Sequence, residues 1–383
     1  MRLNAIPNIH SGRATARRGS RESGIALIMV MVVIVVLSII AFGFAYTMKV
    51  ETTLARHASF SSELDWAGRS GVEIAKWVLA EESKGQNAMF DSLRNKWAGG
   101  PGESNSPLAE IDLKNYPLYR PDGSQFATLS IEIVDLDRKF NINVADEIVL
   151  KQALTLIGVD AGAFTTITSS ILDWRDVDKN PHMGGAETEF YEAQSPPYYC
   201  KDGPLDDISE LLLIKGVSPS MFWGSSGTGA AVVMNRPQGA RRSQFDEEPT
   251  YAVGLNDLFT CLSSRRVNIN TASATVIQML FPEFDTTVAD AIIRERSGPD
   301  GAPATDDDAP FRSTSELVVR VRELQMLGQN PQVLQGLGQS LTTRSLVFEV
   351  RVKASIASTT RNYVGILRRN NPKDIQTLNL YWK

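Results

Sequence analysis

Five oxygen-bearing side chains crowd one stretch of the sequence: Asp173, Asp176, Asp178, Asn180 and Glu187. Counted from Asp176, the last four fall at positions one, three, five and twelve, the spacing at which carboxylate and amide oxygens wrap a calcium ion in a helix-loop-helix hand. Pro181 occupies the sixth place, where such a loop turns on glycine. The pattern therefore leaves two readings open, a calcium loop of another geometry or a solvated acidic turn with Asp173 as a helix cap. The run Asp306-Asp307-Asp308 lies among Gly, Pro and Ala and reads as an exposed loop. Catalysis finds little support. The three histidines are His10, His57 and His182, and no Gly-x-Ser-x-Gly, phosphate-binding loop or His-Glu-x-x-His accompanies them.

The elements that must position these groups begin with an apolar run. From Ile25 to Met48 there are 24 consecutive uncharged residues, which as a helix would span roughly 36 Å, enough to cross a bilayer. Arg13, Arg17, Arg18 and Arg21 precede it, so the positive-inside rule keeps the N-terminus cytoplasmic and sends the rest outward. Residues 1–24 carry a net +4 and the remainder −9. Such an acidic outer part repels nucleic-acid phosphate and anionic lipid, and suits divalent cations or basic surfaces. Arg21-Glu22-Ser23-Gly24 before Ile25-Ala26-Leu27 resembles the type IV prepilin class, in which a prepilin peptidase cuts after the glycine and the apolar helix survives. The resemblance implies a leader over 1–24, a cut between Gly24 and Ile25, and a transmembrane helix over 25–48. Met29 stands where most of that class carry Glu, which leaves N-methylation of Ile25 unsupported.

Past the membrane the apolar positions Leu54, Ala58, Leu64, Gly68, Gly71, Ile74, Ala75, Val78 and Leu79 keep three-to-four spacing, predicting one long helix that ends near Glu82. Strict alternation over 346–356, with shorter runs over 363–368, 378–382 and 127–134, predicts an antiparallel sheet whose segments lie about 200 residues apart. The stretch 141–340 must then be an insertion of short helices. It carries an internal repeat: Asn141-Ile142-Asn143-Val144-Ala145 returns as Asn268-Ile269-Asn270-Thr271-Ala272. Likewise Pro204-Leu205 with Ser209-Glu210-Leu211 returns as Pro310-Phe311 with Ser315-Glu316-Leu317. The asparagines are expected to cap helices through their side-chain oxygens.

Four motifs in order are similar to the K pseudopilin family of type II secretion systems: Asp137-Arg138-Lys139-Phe140-Asn141-Ile142-Asn143, Asp173-Trp174-Arg175-Asp176, Gly184-Gly185-Ala186-Glu187 with Tyr191 and Pro196-Pro197-Tyr198, and Val267-Asn268-Ile269-Asn270-Thr271-Ala272. Absence of the acidic residue at position 29 is a further family trait. The resemblance implies an α+β pseudopilin fold, its long N-terminal helix packed on an antiparallel sheet (49–140 and 341–383). It also implies a helical domain over 141–340 with two helix-hairpin-helix-like units. It implies a non-catalytic minor pseudopilin at the tip of a short pseudopilus in the inner membrane, its C-terminal domain periplasmic, with the I and J minor pseudopilins as partners. It implies calcium, held by Asp173, Asp176, Asp178, Asn180 and Glu187. Leu54, Gly68, Gly71 and Ile74 are the expected partner-helix surface, the glycines permitting close approach.

The competing reading is a membrane-anchored DNA-binding protein that grips phosphates with the two helical units. The hairpins argue against it, since Leu156-Ile157-Gly158-Val159 holds one glycine and Met279-Leu280-Phe281-Pro282 none. Cys200 and Cys261, with 60 residues between them, lie in a compartment that permits disulfides, and a bridge would need their Cα atoms within roughly 4.4–6.8 Å.

Overall fold

The computed structural model describes residues 22–84, 89–225, 250–327 and 331–383, so the leader arginines lie outside the described residues. The chain divides into two units, Met1–Glu63 and Leu64–Lys383. Helix α1 (Glu22–Glu82) contains the Gly24–Ile25 junction in its first turn and ends at the residue the periodicity indicates. In the first unit every large apolar side chain from Ile25 to Val50 is exposed, and the helix is long and apolar enough to cross a membrane.

In the second unit α1 lies on a five-stranded antiparallel sheet. The strands are β1 (Tyr116–Tyr119), β2 (Gln125–Asp135), β7 (Val347–Ile356), β8 (Thr359–Asn371) and β9 (Asp374–Trp382), in spatial order β1-β2-β7-β8-β9. Pairing of Leu129 with Ala354, Ile131 with Val352 and Ile133 with Val350 brings the distant segments together and sets their apolar side chains on one face. That face receives Leu64, Ala67, Val72, Ala75, Val78 and Leu79 of the helix, all buried. Gly68 and Gly71 belong to this contact. A Cβ on Gly68 would lie 2.4 Å from the Tyr363 ring, and one on Gly71 would lie 2.5 Å from Val352 Cγ1. The helix therefore approaches its own strands only because these positions lack side chains.

Between β2 and β7 the chain forms the helical region, whose core runs from Phe140 to Leu341. Its elements are β3 (Phe140–Asn141), α2 (Glu147–Ile157), α3 (Phe164–Arg175), α4 (Thr188–Glu192), α5 (Pro219–Trp223), α6 (Leu255–Leu258), β4 (Phe259–Thr260), β5 (Val267–Asn268), α7 (Ala274–Leu280), α8 (Thr286–Arg296), α9 (Ser315–Arg320), α10 (Arg322–Leu327), α11 (Pro331–Ser340) and β6 (Leu341–Thr342). The sequence repeat is a structural one. Each unit opens on a two-residue parallel ladder, β3 with β4 and β5 with β6. Asn143 donates to Leu205 O (2.9 Å) and accepts from Leu205 N (2.7 Å); Asn270 does the same with Phe311 at 2.9 and 2.8 Å. Arg175 at the end of α3 donates to Ile142 and Ala145 carbonyls, as Arg296 at the end of α8 donates to Ile269. These asparagines clasp distant loops rather than cap helices. The caps of α2 and α7 are Asp146 and Ser273, while Asn141 caps only the short 3-10 turn Ile142–Val144.

A buried polar joint ties the helical region to the sheet. Asp135 accepts from Ser345 Oγ (2.6 Å), Thr271 Oγ1 (2.5 Å) and Asn268 Nδ2 (3.3 Å). Asp137 accepts from the backbone N–H groups of Ser264 (2.5 Å), Leu346 (2.6 Å) and Val347 (3.2 Å). Beside them the buried Arg369 guanidinium pairs with Asp91 and donates to Ser83 Oγ and Ser345 O, both at 2.8 Å.

Candidate metal centre

Helix α3 delivers the first acids. Asp173 faces inward from the last turn of the helix, Trp174 packs edge-on against Tyr191 at 5.2 Å, and Asp176 is the C-cap. The Asp173 carboxylate is 0% exposed and holds the following loop. It accepts from His182 N (3.0 Å) and Ala186 N (2.7 Å), and its Oδ1 lies 2.5 Å from His182 Nδ1. Only glycine fits at 185, because a Cβ there would stand 1.9 Å from Asp173 Oδ2. The clasp turns the chain back so that Glu187, at the start of α4, points into the interior.

Two triads result. Ligand atoms of Asp173, Asp176 and His182 lie within 4.8 Å of one another, and so do those of Glu187, Cys200 and Asp202. Four carboxylate oxygens in this region are buried without a hydrogen-bond partner: Asp176 Oδ1, both oxygens of Glu187, and Asp202 Oδ1. The nearby cations are turned elsewhere. Arg175 reaches the Ile142 and Ala145 carbonyls, Lys201 pairs with Asp206 and Glu210 at 2.7 Å each, and Lys215 donates to Gly184 and Gly185 carbonyls. Burial, then Asp178 and Asp173, raises the Asp176 carboxyl above its ordinary range; burial, then Asp173, Asp202 and Asp176, does the same to Glu187. Unpartnered oxygens and mutual repulsion of this kind are relieved by a cation, and a hard oxygen donor set fits calcium. Asp173 and Asp176 in one triad, and Glu187 and Asp202 in the other, are the oxygen donors that would hold one.

The four residues that share the calcium-loop spacing, with Asp173 before them, do not converge as one loop. Asp178 and Asn180 are exposed, and Asp178 Oδ1 is engaged by Asn180 N at 2.8 Å in a local turn. The one-three-five-twelve register fails because the chain after Asp176 runs outward, with Val177 and Met183 exposed. Asp202 was missed because it lies 15 residues past Glu187, outside any single-loop template. Its backbone φ of 51° lies in the left-handed region, which Asp adopts more readily than most non-glycine residues. Both cysteines are free thiols, and burial pushes each up to about 12, so they are neutral near pH 7.

The partner surface also differs from expectation. Gly68 and Gly71 are spent on the sheet and Ile74 is half-buried, while Leu54, in the first unit, is exposed. The outward side of α1 in the second unit carries Trp66, 69% exposed, and Trp77, 41% exposed, eleven residues apart and hence on one helical stripe. The hairpins are equally uninviting to DNA. The backbone N–H groups that would grip phosphate are taken by Asp160, bonded to Gly162 N, and by Asp285, bonded to Val288 N.

Two family models match the chain, both described as type II secretion system protein K, over residues 131–223 and 267–341. The matches coincide with the two structural repeats. Both segments are thus similar to the type II secretion system protein K family. The protein of that name from Klebsiella pneumoniae is 31% identical over 114 residues, covering 26% of this chain and 34% of the relative. An Escherichia coli K12 relative carrying the same family name is 23% identical over 216 residues, covering 53% and 60%. The chain thus spans between a third and three fifths of the length of these relatives. A solved chain in the GspK-GspI-GspJ complex of the enterotoxigenic Escherichia coli type 2 secretion system superposes with a TM-score of 0.60 at 16% identity, over 86% of this chain and 99% of that one. The chain therefore shares its overall fold with that solved chain.

Proposed function

We propose that this chain is a non-catalytic minor pseudopilin at the tip of a type II secretion pseudopilus, where it nucleates assembly for export of folded proteins across the outer membrane. The observation that carries the reading is the pairing of family-matched helical repeats with a pilin-like helix-on-sheet frame. The protein is anchored in the inner membrane by its N-terminal helix, its leader cytoplasmic and its C-terminal domain periplasmic, and a prepilin peptidase cuts between Gly24 and Ile25. Its partners are the I and J minor pseudopilins, by analogy with the assembly named for the solved relative. Met29 supports a terminal place: a subunit docked beneath another would need a carboxylate to neutralise its neighbour's N-terminal amine in lipid. The helical insertion, larger than the sheet that bears it, would collide with copies of itself along a filament.

The partner helices meet the Trp66–Trp77 stripe. Restoring this chain to cells that lack it should restore secretion, and the double variant Trp66→Glu/Trp77→Glu should abolish it while leaving the protein's melting temperature within a few degrees. Normal secretion by the double variant would remove the stripe from the interface.

Calcium orders the turn from Asp173 to Tyr191, with Asp173, Asp176, Glu187 and Asp202 supplying oxygens. Chelation should lower the melting temperature, and calcium at a hundredfold excess over its Kd should restore about 2.7 kcal/mol. Because the acids are raised, protons compete with the ion and affinity should fall as the pH is lowered. Identical melting with chelator and with calcium would reject the site.

A further inference from the structure

We propose that Arg138, Arg265, Arg266 and Arg344 form a docking surface for a short acidic segment of a partner protein. The surface shares no residue with the tryptophan stripe or with the acidic turn after α3, and it stands without either reading. Asp137 gathers the three loops that bear these arginines. Its carboxylate accepts from Ser264 N (2.5 Å), Leu346 N (2.6 Å) and Val347 N (3.2 Å), while its carbonyl accepts from Asn268 N at 2.8 Å. Arg138 follows Asp137 directly, Arg265 and Arg266 lie between Ser264 and Asn268, and Arg344 stands two residues before Leu346. Two of the four are set by the same local device. Ser264 Oγ accepts from Arg266 N (3.2 Å) and donates to Arg266 O (3.1 Å), and Thr342 Oγ1 does the same with Arg344 at 3.1 Å each.

Arg265 and Arg266 are exposed, Arg138 and Arg344 half-buried, and among the described residues none of the four guanidinium groups has a hydrogen bond or an ion pair. The acids on the adjoining strands are engaged. Asp135 is held by Ser345, Thr271 and Asn268, and Glu132 and Glu349 pair with Arg351 at 3.5 and 2.6 Å. Burial, then the charge of Arg138, lowers the Arg296 guanidinium, so positive charge is already crowded here. Arg138 also lines a cavity of about 140 Å³ with Trp97, Glu132, Asp135 and Thr271, enough to admit a carboxylate group. A guanidinium presents two parallel N–H groups to a carboxylate, and four without a counter-charge call for an anionic ligand. The rest of the outer part selects its size. Residues after Gly24 sum to −9, which repels an extended polyanion such as nucleic acid or an anionic bilayer, whereas a segment of a few carboxylates meets only the arginines.

The test uses the full chain in phosphatidylcholine nanodiscs and a fluorescein-labelled octapeptide of alternating Asp and Glu, followed by anisotropy. Binding should saturate at low salt and weaken as salt is raised. Arg138→Gln/Arg265→Gln/Arg266→Gln/Arg344→Gln should weaken it about tenfold or more, with the melting temperature within a few degrees of the parent's. If that variant fails to fold, Arg265→Gln/Arg266→Gln, both at exposed positions, should still weaken binding severalfold. The charge-matched control Lys114→Gln/Lys353→Gln/Arg368→Gln/Lys373→Gln, at exposed positions elsewhere, should bind as the parent does. Absence of binding, or an equal loss in the control, would overturn the inference. Tighter binding of an eight-nucleotide DNA strand or of phosphatidylserine vesicles, lost in the same arginine variants, would overturn the choice of an acidic protein segment.

Discussion

Asp91→Ala should destabilise the protein by about 3–5 kcal/mol, a large part of the stability of a domain of this size. The reason lies in what it strands. Arg369 is 1% exposed and Asp91 carries its counter-charge; Asp91 also accepts from Ser345 N at 2.9 Å. Removing the carboxylate leaves a guanidinium in the interior with Ser83 Oγ, the Ser345 carbonyl and the face of the Phe348 ring, none of them a counter-charge. The pair itself contributes less than this figure, because both charges had to be desolvated to form it. The double variant Asp91→Leu/Arg369→Met should therefore be markedly more stable than Asp91→Ala alone. Urea midpoints for the two variants decide the matter. Equal losses would show that the joint is held by packing and not by the charge pair.

The neighbouring acid makes stability fall as pH rises toward neutrality. Asp135 is wholly buried, and burial followed by the charge of Asp137 raises its carboxyl to about 7 from 3.8. A carboxyl whose folded value lies above its unfolded one binds its proton more tightly in the native state. Its stabilising contribution is complete below the unfolded value and is lost as the pH passes through the folded one. On the order of 4 kcal/mol is at stake between about pH 4 and pH 7. Asp137, also raised by burial, adds to the same trend. Asp135→Asn cannot ionise, so the difference in unfolding free energy between parent and variant should shift in the variant's favour across that window. A difference that stays flat with pH would mean that Thr271, Ser345 and Asn268 stabilise the ionised form fully.

The features legible in the sequence are those that repeat. Three-to-four spacing to Glu82 traces α1, alternation over 346–356 traces β7, and the doubled Asn-Ile-Asn motif traces the two helical units. What the repeat could not disclose is that Asn143 and Asn270 bind loops 62 and 41 residues away, because a side-chain amide suits a cap and a clasp equally well. Gly68 and Gly71 signal close approach to something, and periodicity does not say whether that is a partner helix or the protein's own Tyr363 and Val352. The acids fared likewise. Asp173 and Asp176 stand with His182 because local chain turns bring them there, whereas Glu187 meets Cys200 and Asp202, 13 and 15 residues further along the chain. No loop template contains such a contact.

Mixing the soluble ectodomain of this chain with those of the I and J minor pseudopilins from the same cells, and weighing the products by light scattering, tests whether it is a tip subunit. A single species of one-to-one-to-one mass should form, and Trp66→Glu/Trp77→Glu should prevent it. Homopolymers of this chain alone, or unchanged masses of all three proteins in the mixture, would contradict the assignment.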